Sequence, residues 1–391
     1  MRQMRFAVDA HAIGRHLTGN EVYVRSLLRA FAELDRESEF LAYLSEPGAE
    51  EWIPRRFQVR YVSSNPWSRL GWGLGRLLRA DKPDLVHVQY TAPLLGRVPI
   101  VVTVHDVSFL EHPEYFTWLR RTQLRQTVAT TVRHAARVLT VSEFSRDAIL
   151  RSYDIAEDKV RVIPNAANPD FRVIGREKAM RAVTQRLRME APFVLSVGDL
   201  QLRKNHVGLI AAFAKMLTAH PQLKHHLVLT GKETWFTPKV TEAALSSGFA
   251  NRIHFTGFVS DDQLLELYNA CECFVFPSFY EGFGLPILEA MACGRAVACS
   301  NTSAMPEVAD GAGILFDPYS VDEIRRAMSD ILLDPELRAR KERLGLQRAA
   351  SFSWQKSARA TLDVYREVVE ERQGRKKIAA AASVALTSRK K

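Results

Sequence analysis

The stretch Phe274–Gly294, FVFPSFYEGFGLPILEAMACG, has the pattern of a strand, a tight loop and a helix in direct succession. Its first residues are apolar and of strand length. Pro286 suits the first turn of a helix, where a backbone N–H would be unpaired anyway. We therefore expect a buried strand that ends at Pro277 and a helix that begins near Leu285 or Pro286.

The same alternation of strand-length apolar runs and helix-length amphipathic segments continues along both halves of the chain. The predicted strands are RFAVDA, FLAYL, FQVRYV, DLVHVQ, IVVTVHD, RVLTVS and KVRVIPN, then PFVLSVGD, HLVLTG, RIHFTGF, CFVFPS, AVACSN and GILFDP. This pattern predicts an α/β fold with two doubly wound, Rossmann-like domains, whose parallel sheets are covered on both faces. Two such domains facing each other form a cleft, and ligands bind outside the carboxyl ends of the strands.

A polar, helix-leaning segment separates the two halves and marks the domain junction. We predict a first domain at 1–168, a linker at 169–190, a second domain at 191–353, a closing helix at 354–371 and a basic, disordered tail at 372–391. The length of 391 residues agrees with two domains of ordinary size.

The formal net charge of +10 is concentrated at the end of the chain. The tail from Arg372 has no acidic residue and seven basic ones, namely Arg372, Arg375, Lys376, Lys377, Arg389, Lys390 and Lys391. Without them the charge of residues 1–371 is about +3. We therefore expect no nucleic-acid partner, and for the tail either disorder or contact with an anionic membrane surface.

Neither a secretory signal nor an apolar run near the ~18 residues of a membrane span is apparent in the sequence. The four cysteines, Cys271, Cys273, Cys293 and Cys299, lie close together without a CxxC pair. Such spacing indicates buried residues in a reduced core, neither a disulfide framework nor a zinc site. We expect a cytoplasmic protein, with peripheral contact at the inner face of the cell membrane as a further option.

The loop between Glu281 and Glu289 has the features of an anion site. Its glycines, Gly282 and Gly284, allow backbone N–H groups to point into the cleft at the start of a helix, where phosphate is attracted. A carboxylate beside a phosphate would be repelled, so we expect the two glutamates to bind hydroxyl groups on either side of it. A diphosphate flanked by two polyols is the shape of a nucleotide sugar.

Metal-assisted and phosphate-loop sites are not predicted. The sequence contains no Asp-x-Asp, the commonest divalent-metal signature for a sugar nucleotide. GWGLG lacks the GxGxxG spacing, and LTGKET lacks the upstream glycine of a phosphate loop. Arg203 and Lys204, two adjacent cations between a strand and a helix, could neutralise a diphosphate instead.

Together these stretches resemble the retaining glycosyltransferases of family 4, which have the GT-B fold. The resemblance is carried by four stretches, which are TVHDVSF, SVGDLQLRKNHVGLI, HFTGFVSDDQLLELYNAC and PSFYEGFGLPILEAMACG. They follow one another along the chain in the order typical of that family, and the resemblance covers roughly residues 5–370. SFSWQKSARATLDVYREVV is similar to the family's closing helix, which packs back on the first domain. LTGNEVYVRSLL matches only in part, because Gly19-Asn20 stands where the commoner form has two glycines.

The resemblance implies a site made from both domains. Catalytic roles fall on His105, Arg203, Lys204 and Glu281. Donor binding falls on Gly19, Gly198, Arg203, Lys204, Gly231, Val259, Glu281, Gly282, Phe283, Gly284, Leu285 and Glu289. Glu281 would hold the donor sugar, Glu289 the ribose and the backbone around Val259 the base. The donor is a nucleotide sugar, no cofactor or metal is expected, and the acceptor-binding residues are unknown.

As a whole, the sequence most resembles bacterial mannosyltransferases that use GDP-mannose in surface polysaccharide synthesis. A UDP-sugar donor, an epimerase of nucleotide sugars, a phosphorylase and a regulatory binder without turnover are the alternatives. The acceptor would be a saccharide or a lipid-linked saccharide bound by the first domain. There the segment 118–137 carries five arginines, Arg120, Arg121, Arg125, Arg133 and Arg137, as a solvated helix face or a membrane contact.

Overall fold

The computed structural model describes residues 3–15, 18–93 and 98–388. Its strands fall in two groups, one in each half of the chain. The first group is β1 Arg5–Asp9, β2 Glu39–Leu44, β3 Gln58–Tyr61, β4 Leu85–Gln89, β5 Ile100–Thr103, β6 Arg137–Thr140 and β7 Val160–Val162. The second is β8 Phe193–Val197, β9 His226–Thr230, β10 Ile253–Gly257, β11 Cys273–Phe276, β12 Val297–Ser300 and β13 Ile314–Phe316. Each coincides with a strand predicted from the sequence.

Both sheets are parallel throughout and have doubly wound strand orders. The first is β3-β2-β1-β4-β5-β6-β7 and the second is β10-β9-β8-β11-β12-β13. In each sheet the order reverses beside the first strand of the domain, β1 or β8. In such sheets the crevice at the reversal is where ligands bind. The predicted α/β architecture is therefore confirmed.

The helices connect successive strands and cover both faces of each sheet. They are α1 Thr18–Leu34, α2 Pro66–Ser68, α3 Leu74–Asp81, α4 Ser108–Glu111, α5 Trp118–His134, α6 Glu143–Ser152, α7 Arg176–Leu187, α8 His206–Ala219, α9 Thr237–Ser246, α10 Asp261–Ala270, α11 Leu285–Ala292, α12 Met305–Ala309, α13 Val321–Leu333, α14 Pro335–Ala350 and α15 Trp354–Ser388. Helix α7 lies within the predicted linker. Helix α11 begins at Leu285, as the proline in its first turn predicts.

Helix α15 returns to the first domain and packs along α1. Trp354, Leu362 and Tyr365 are buried there among first-domain residues such as Phe6 and Phe31. The Tyr365 hydroxyl lies 2.5 Å from Nδ1 of His87 on β4. The last helix of the chain therefore completes the core of the first domain.

The prediction of a disordered tail from residue 372 is wrong for 372–388, because α15 continues to Ser388. Alanine has the highest helix propensity, and the tail contains the run IAAAASVAL, which lengthens a helix that has already formed. Residues 389–391 of the predicted tail lie outside the described residues. Within the described parts of the chain, none of the helices is long and apolar enough to cross a bilayer.

The second domain has an apolar core on each face of its sheet. The four cysteines are buried in these cores as free thiols, and burial raises the pKa of the Cys271 thiol to about 12. Their burial agrees with the interpretation of their spacing.

Candidate active site

A cavity of about 260 Å³ lies between the two domains, at the carboxyl edge of the second sheet. Loops that follow β8, β9 and β10 line one side, and the start of α1 lines the other. Eight of the predicted donor-binding residues line it together: Gly19, Gly198, Arg203, Lys204, Gly231, Val259, Leu285 and Glu289. Val22, Asn168, Phe171 and Asp261 are among the other residues of the wall and were not predicted.

Arg203, Lys204 and Glu281 form a buried ionic triad beside this cavity. The Glu281 carboxylate accepts hydrogen bonds from Arg203 Nη1 and Lys204 Nζ, each at 2.7 Å. Burial raises the pKa of Glu281, but the two cations outweigh it and bring the pKa down to about 2. Glu281 is therefore ionised at neutral pH, and the triad has a net charge of +1.

The pairing of Glu281 with both cations was not predicted from the sequence. Its physical reason is desolvation, because two partly buried cations are costly without a nearby counter-charge. Lys204 also lies over the Phe276 ring, 4.7 Å from its centroid. Arg203 donates a further bond to the Tyr280 carbonyl at 2.8 Å. These contacts hold both cations in fixed positions.

Backbone segments approach closely at the carboxyl ends of β8 and β9. A Cβ atom added to Gly231 would lie 2.1 Å from the Gly198 carbonyl oxygen, well inside van der Waals contact. At Gly198 an added Cβ would lie 3.0 Å from two methylene carbons of Lys204. Glycine at 231 is therefore required for the two loops to meet, and the contact sets the position of Lys204.

The loop that follows β11 touches the first domain directly. A Cβ on Gly282 would lie 2.2 Å from the His105 carbonyl oxygen. The Gly282 carbonyl accepts hydrogen bonds from Ser142 Oγ at 2.6 Å and Ser145 Oγ at 3.1 Å. Nearby, the backbone N–H of Glu143 donates to the Glu307 carboxylate at 3.0 Å. Gly282 is thus a contact between the domains.

Donor binding at the backbone of Phe283 stays a prediction, and the side chain of Phe283 lies elsewhere. Its ring packs edge-on against Phe352, with 5.9 Å between centroids, and lines a separate cavity with Val162 and Ile163. An apolar ring is more stable in this apolar contact than beside a diphosphate. Gly284, at φ +103°, immediately precedes α11 and turns the chain into that helix.

Glu289 lies inside α11 with its carboxylate at the cavity wall. Tyr268 donates a hydrogen bond to Glu289 Oε2 at 2.9 Å. Burial raises the pKa of Glu289 to about 7, although the Tyr268 bond opposes this shift. Glu281 and Glu289 therefore differ in pKa. Glu281 is ionised at neutral pH, whereas Glu289 titrates near pH 7.

His105 is held on the first-domain side by a residue that the sequence did not single out. Gln89 accepts from His105 Nε2 at 2.8 Å through its Oε1 atom, and its own amide donates to the Asn20 carbonyl at 3.4 Å. This arrangement places the proton on Nε2 and leaves a lone pair on Nδ1. Burial lowers the pKa of His105 to about 4, so the ring is neutral at physiological pH. Gln89 is the last residue of β4, which pairs with β5 in the sheet. Because His105 follows β5, the position of Gln89 at the end of the neighbouring strand could have identified it.

The segment 118–137 forms a helix only as far as His134. Arg137 lies on β6 and pairs with Glu367 and Glu371 of α15, at 2.5 Å each, so it is not on the predicted helical face. Arg121, Arg125 and Arg133 line an open groove of about 900 Å³ with the exposed Trp118.

Both halves of the chain match families of glycosyltransferases. Residues 17–171 match Glycosyltransferase Family 4, and residues 181–346 match Glycosyl transferases group 1. O-antigen chain mannosyltransferase B of Escherichia coli is 34% identical over 68% of this chain and 70% of that protein. Serotype-specific mannosyltransferase WbdA of Escherichia coli is 33% identical over 60% of this chain, and the match spans only 29% of WbdA.

Solved structures agree on the fold. HepE of Anabaena, in complex with UDP and glucose, superposes with a TM-score of 0.75 at 20% identity, over 94% of this chain and 100% of that chain. Sucrose-phosphate synthase of Thermosynechococcus elongatus superposes with a TM-score of 0.77 at 19% identity, over 95% of this chain and 100% of that chain. The chain therefore belongs to glycosyltransferase family 4 and is a hexosyltransferase with the GT-B fold.

Proposed function

We propose that this transferase moves mannose from GDP-mannose, with retention, to a hydroxyl group of a saccharide or lipid-linked acceptor in surface polysaccharide synthesis. The similarity to an O-antigen chain mannosyltransferase, which extends over 68% of this chain, carries the proposal. The donor cavity adds a chemical argument. Asp261 lines it beside Val259, and a carboxylate accepts from the adjacent N1–H and N2–H groups of guanine, whereas uracil offers a single N–H.

The triad supports binding of the diphosphate without a metal ion. Lys204 has three N–H donors and Arg203 has five, and their bonds to Glu281 and Tyr280 use only a few of them. The remaining donors and the net positive charge would stabilise the phosphate oxygens as the leaving group departs. We expect that a chelator leaves transfer unchanged, which a product assay with and without EDTA measures.

The sugar would lie between Glu281 and His105. Its C1–O bond to the diphosphate breaks, the acceptor oxygen bonds to C1 on the same face, and the acceptor proton passes to the leaving phosphate oxygen. The His105 carbonyl accepts from Ser145 Oγ at 3.0 Å, and Nε2 is engaged by Gln89. Nδ1 of His105 is then the ring atom available to accept a hydrogen bond from a hydroxyl of the donor sugar.

A thermal-shift comparison of GDP, UDP and ADP tests the donor. A ligand at a hundred times its dissociation constant adds about 2.7 kcal/mol of stability. We expect selective stabilisation by GDP. Selective stabilisation by UDP would assign a UDP-sugar as the donor without changing the type of reaction. No shift with any nucleotide would contradict the assignment of the cavity.

Asp261→Ala tests how the base is recognised. We expect the Kd of GDP to rise about tenfold, the value of one lost polar contact, while that of UDP changes less than twofold. Because Asp261 also pairs with Arg25 at 2.5 Å, Arg25→Ala is the matched control and should keep the preference for GDP. Equal losses for both nucleotides in Asp261→Ala would refute guanine recognition by this carboxylate.

A further inference from the structure

A second polar cluster lies at the carboxyl edge of the first sheet, outside the donor cavity. Asp9 ends β1 and is fully buried, and its carboxylate accepts from Arg69 Nη1 at 2.5 Å and from His11 Nδ1 at 3.0 Å. Burial raises the pKa of Asp9, but His11 and Arg69 outweigh it and lower the pKa to about 2. Asp9 is therefore an ionised acceptor that both neighbours must satisfy.

His11 is held through one ring nitrogen. Its Nδ1 atom lies 3.0 Å from Asp9 Oδ1 and 3.1 Å from Arg69 Nη1, which leaves Nε2 as the ring nitrogen that a ligand could meet. The His11 side chain is 17% exposed, whereas that of Asp9 is not exposed at all. A buried anchor that presents an imidazole nitrogen at the surface is the arrangement of a binding group for a hydroxyl. Arg69 adds to this a buried Nε atom that has no hydrogen-bond partner among the described residues.

Two exposed tryptophans flank Arg69 in the chain. The segment between β3 and α3 begins at the carboxyl edge of the sheet and contains α2 and a π-helical turn, Arg69–Gly73. Arg69 itself is buried, but Trp67 and Trp72 are 72% and 76% exposed. Large apolar side chains left in water beside a buried polar cluster mark a surface that binds a partner. Aromatic faces pack against the C–H faces of pyranose rings, whose hydroxyls point sideways to polar groups.

The same edge continues towards the donor site. Tyr90 follows β4 with a φ of +60°, a backbone conformation that is rare for a bulky residue. Its phenol lies within electrostatic range of Arg120 and, across the cleft, of Arg203. Arg120 is in turn within range of Arg69. Tyr90 is therefore influenced electrostatically both by Arg120 of the first domain and by Arg203 of the donor site.

We propose that this edge binds the acceptor saccharide, with Trp67 and Trp72 packing against its sugar rings and His11 forming a hydrogen bond with one of its hydroxyls. The proposal rests on the proposed function, because it assigns the second substrate of the same reaction. A membrane surface is the competing occupant of exposed tryptophans. The buried Asp9–His11–Arg69 cluster favours a saccharide, since a lipid surface would not need an oriented hydrogen-bonding group.

The test uses the full chain, GDP-mannose and α-mannotetraose as acceptor probe. For the variant with both Trp67→Ala and Trp72→Ala we expect the KM for tetraose to rise at least tenfold, and His11→Ala should raise it about fivefold. The KM for GDP-mannose and its slow hydrolysis by water should stay within twofold. Trp118→Ala is the matched control, because Trp118 is also 76% exposed but lines a different groove, and it should leave both KM values unchanged.

The outcomes distinguish a failure of the acceptor assignment from a failure of the proposed donor. An unchanged tetraose KM in the double tryptophan variant would overturn the acceptor assignment. So would weakened binding of that variant to anionic lipid vesicles with normal kinetics. A wild-type chain stabilised by GDP but insensitive to tetraose would also overturn it, with the donor site intact. Failure of GDP to stabilise the wild-type chain would instead refute the proposed donor.

Discussion

The second domain builds its edge of the cleft from backbone contacts and a buried ionic triad, whereas the first domain builds its edge from side-chain networks and exposed aromatic rings. At Gly231 the chain has no space for even a methyl group, but at Gly19 an added Cβ would meet nothing within 4 Å. Under the two proposals above, the difference would correspond to two kinds of substrate. The diphosphate of a donor would suit a rigid backbone cradle, while acceptors vary and would suit replaceable side chains.

The largest expected effect is on the triad. Lys204→Met removes a cation from the diphosphate and should lower kcat/KM for transfer about 1000-fold, or about 4 kcal/mol of transition-state stabilisation. The fold should survive, because Glu281 keeps its partner Arg203 at 2.7 Å. Lys239→Met, an exposed lysine in the same domain, is the control. Near-normal transfer in Lys204→Met would contradict the assignment of the clamp.

Glycine substitutions test the contrast in rigidity. Gly231→Ala should destabilise the protein by about 3 kcal/mol, because the new methyl group overlaps the Gly198 backbone. Gly19→Ala should change the free energy of unfolding by less than about 0.5 kcal/mol. Urea unfolding of both variants measures the difference. Equal stabilities would mean that the two edges tolerate an added methyl group equally well.

A smaller effect, dependent on pH, is expected at Glu289. Burial raises its pKa from 4.5 to about 7, so its contribution to folding is full below pH 4.5 and is lost as the pH rises to about 7. Glu289→Gln has no such loss. Its stability relative to the wild type should therefore increase between pH 4.5 and pH 8, by at most about 3 kcal/mol.

Urea unfolding at pH 5 and pH 8 measures this change. Glu242→Gln, an exposed position on α9, should show no comparable pH dependence. If the difference between Glu289→Gln and the wild type were the same at both pH values, the raised pKa of Glu289 would be refuted.

The smallest expected effect concerns Gln89. Gln89→Leu releases the His105 ring and should lower kcat about tenfold, with little change in the KM for the donor. Gln89→Glu places an anion at His105 Nε2 and should shift the acid limb of the pH profile upward, since the carboxylate raises the pKa of the imidazole. Gln355→Leu, which is exposed on α15, is the control. An unchanged kcat and pH profile would reduce Gln89 to a structural residue.

The sequence predicts the strands and much of the donor edge because their signals are local. Alternating apolar runs locate every strand of both sheets. Gly231 directly follows β9, and Arg203 and Lys204 lie in the loop between β8 and α8, where the parallel topology brings loops together. Their roles in donor binding remain predictions that the variants above test.

Other parts of the site depend on contacts that no local pattern encodes. Asp9 meets Arg69 sixty positions away, and neither residue stands in a motif. The ring of Phe283 takes the apolar contact with Phe352, 69 positions away, that only the folded domain provides. The pairing of Glu281 with both cations follows from the cost of burying charge, which depends on depth in the fold and not on spacing along the chain.

The return of α15 to the first domain has a consequence for synthesis on the ribosome. Domains usually fold in order as the chain emerges, with the N-terminal one first. Here Trp354, Leu362 and Tyr365 belong to the first domain's core, and they are made after the whole second domain. The nascent first domain must therefore wait with an uncovered apolar face beside α1, and a ribosome that stalls before residue 354 would release a chain prone to aggregation.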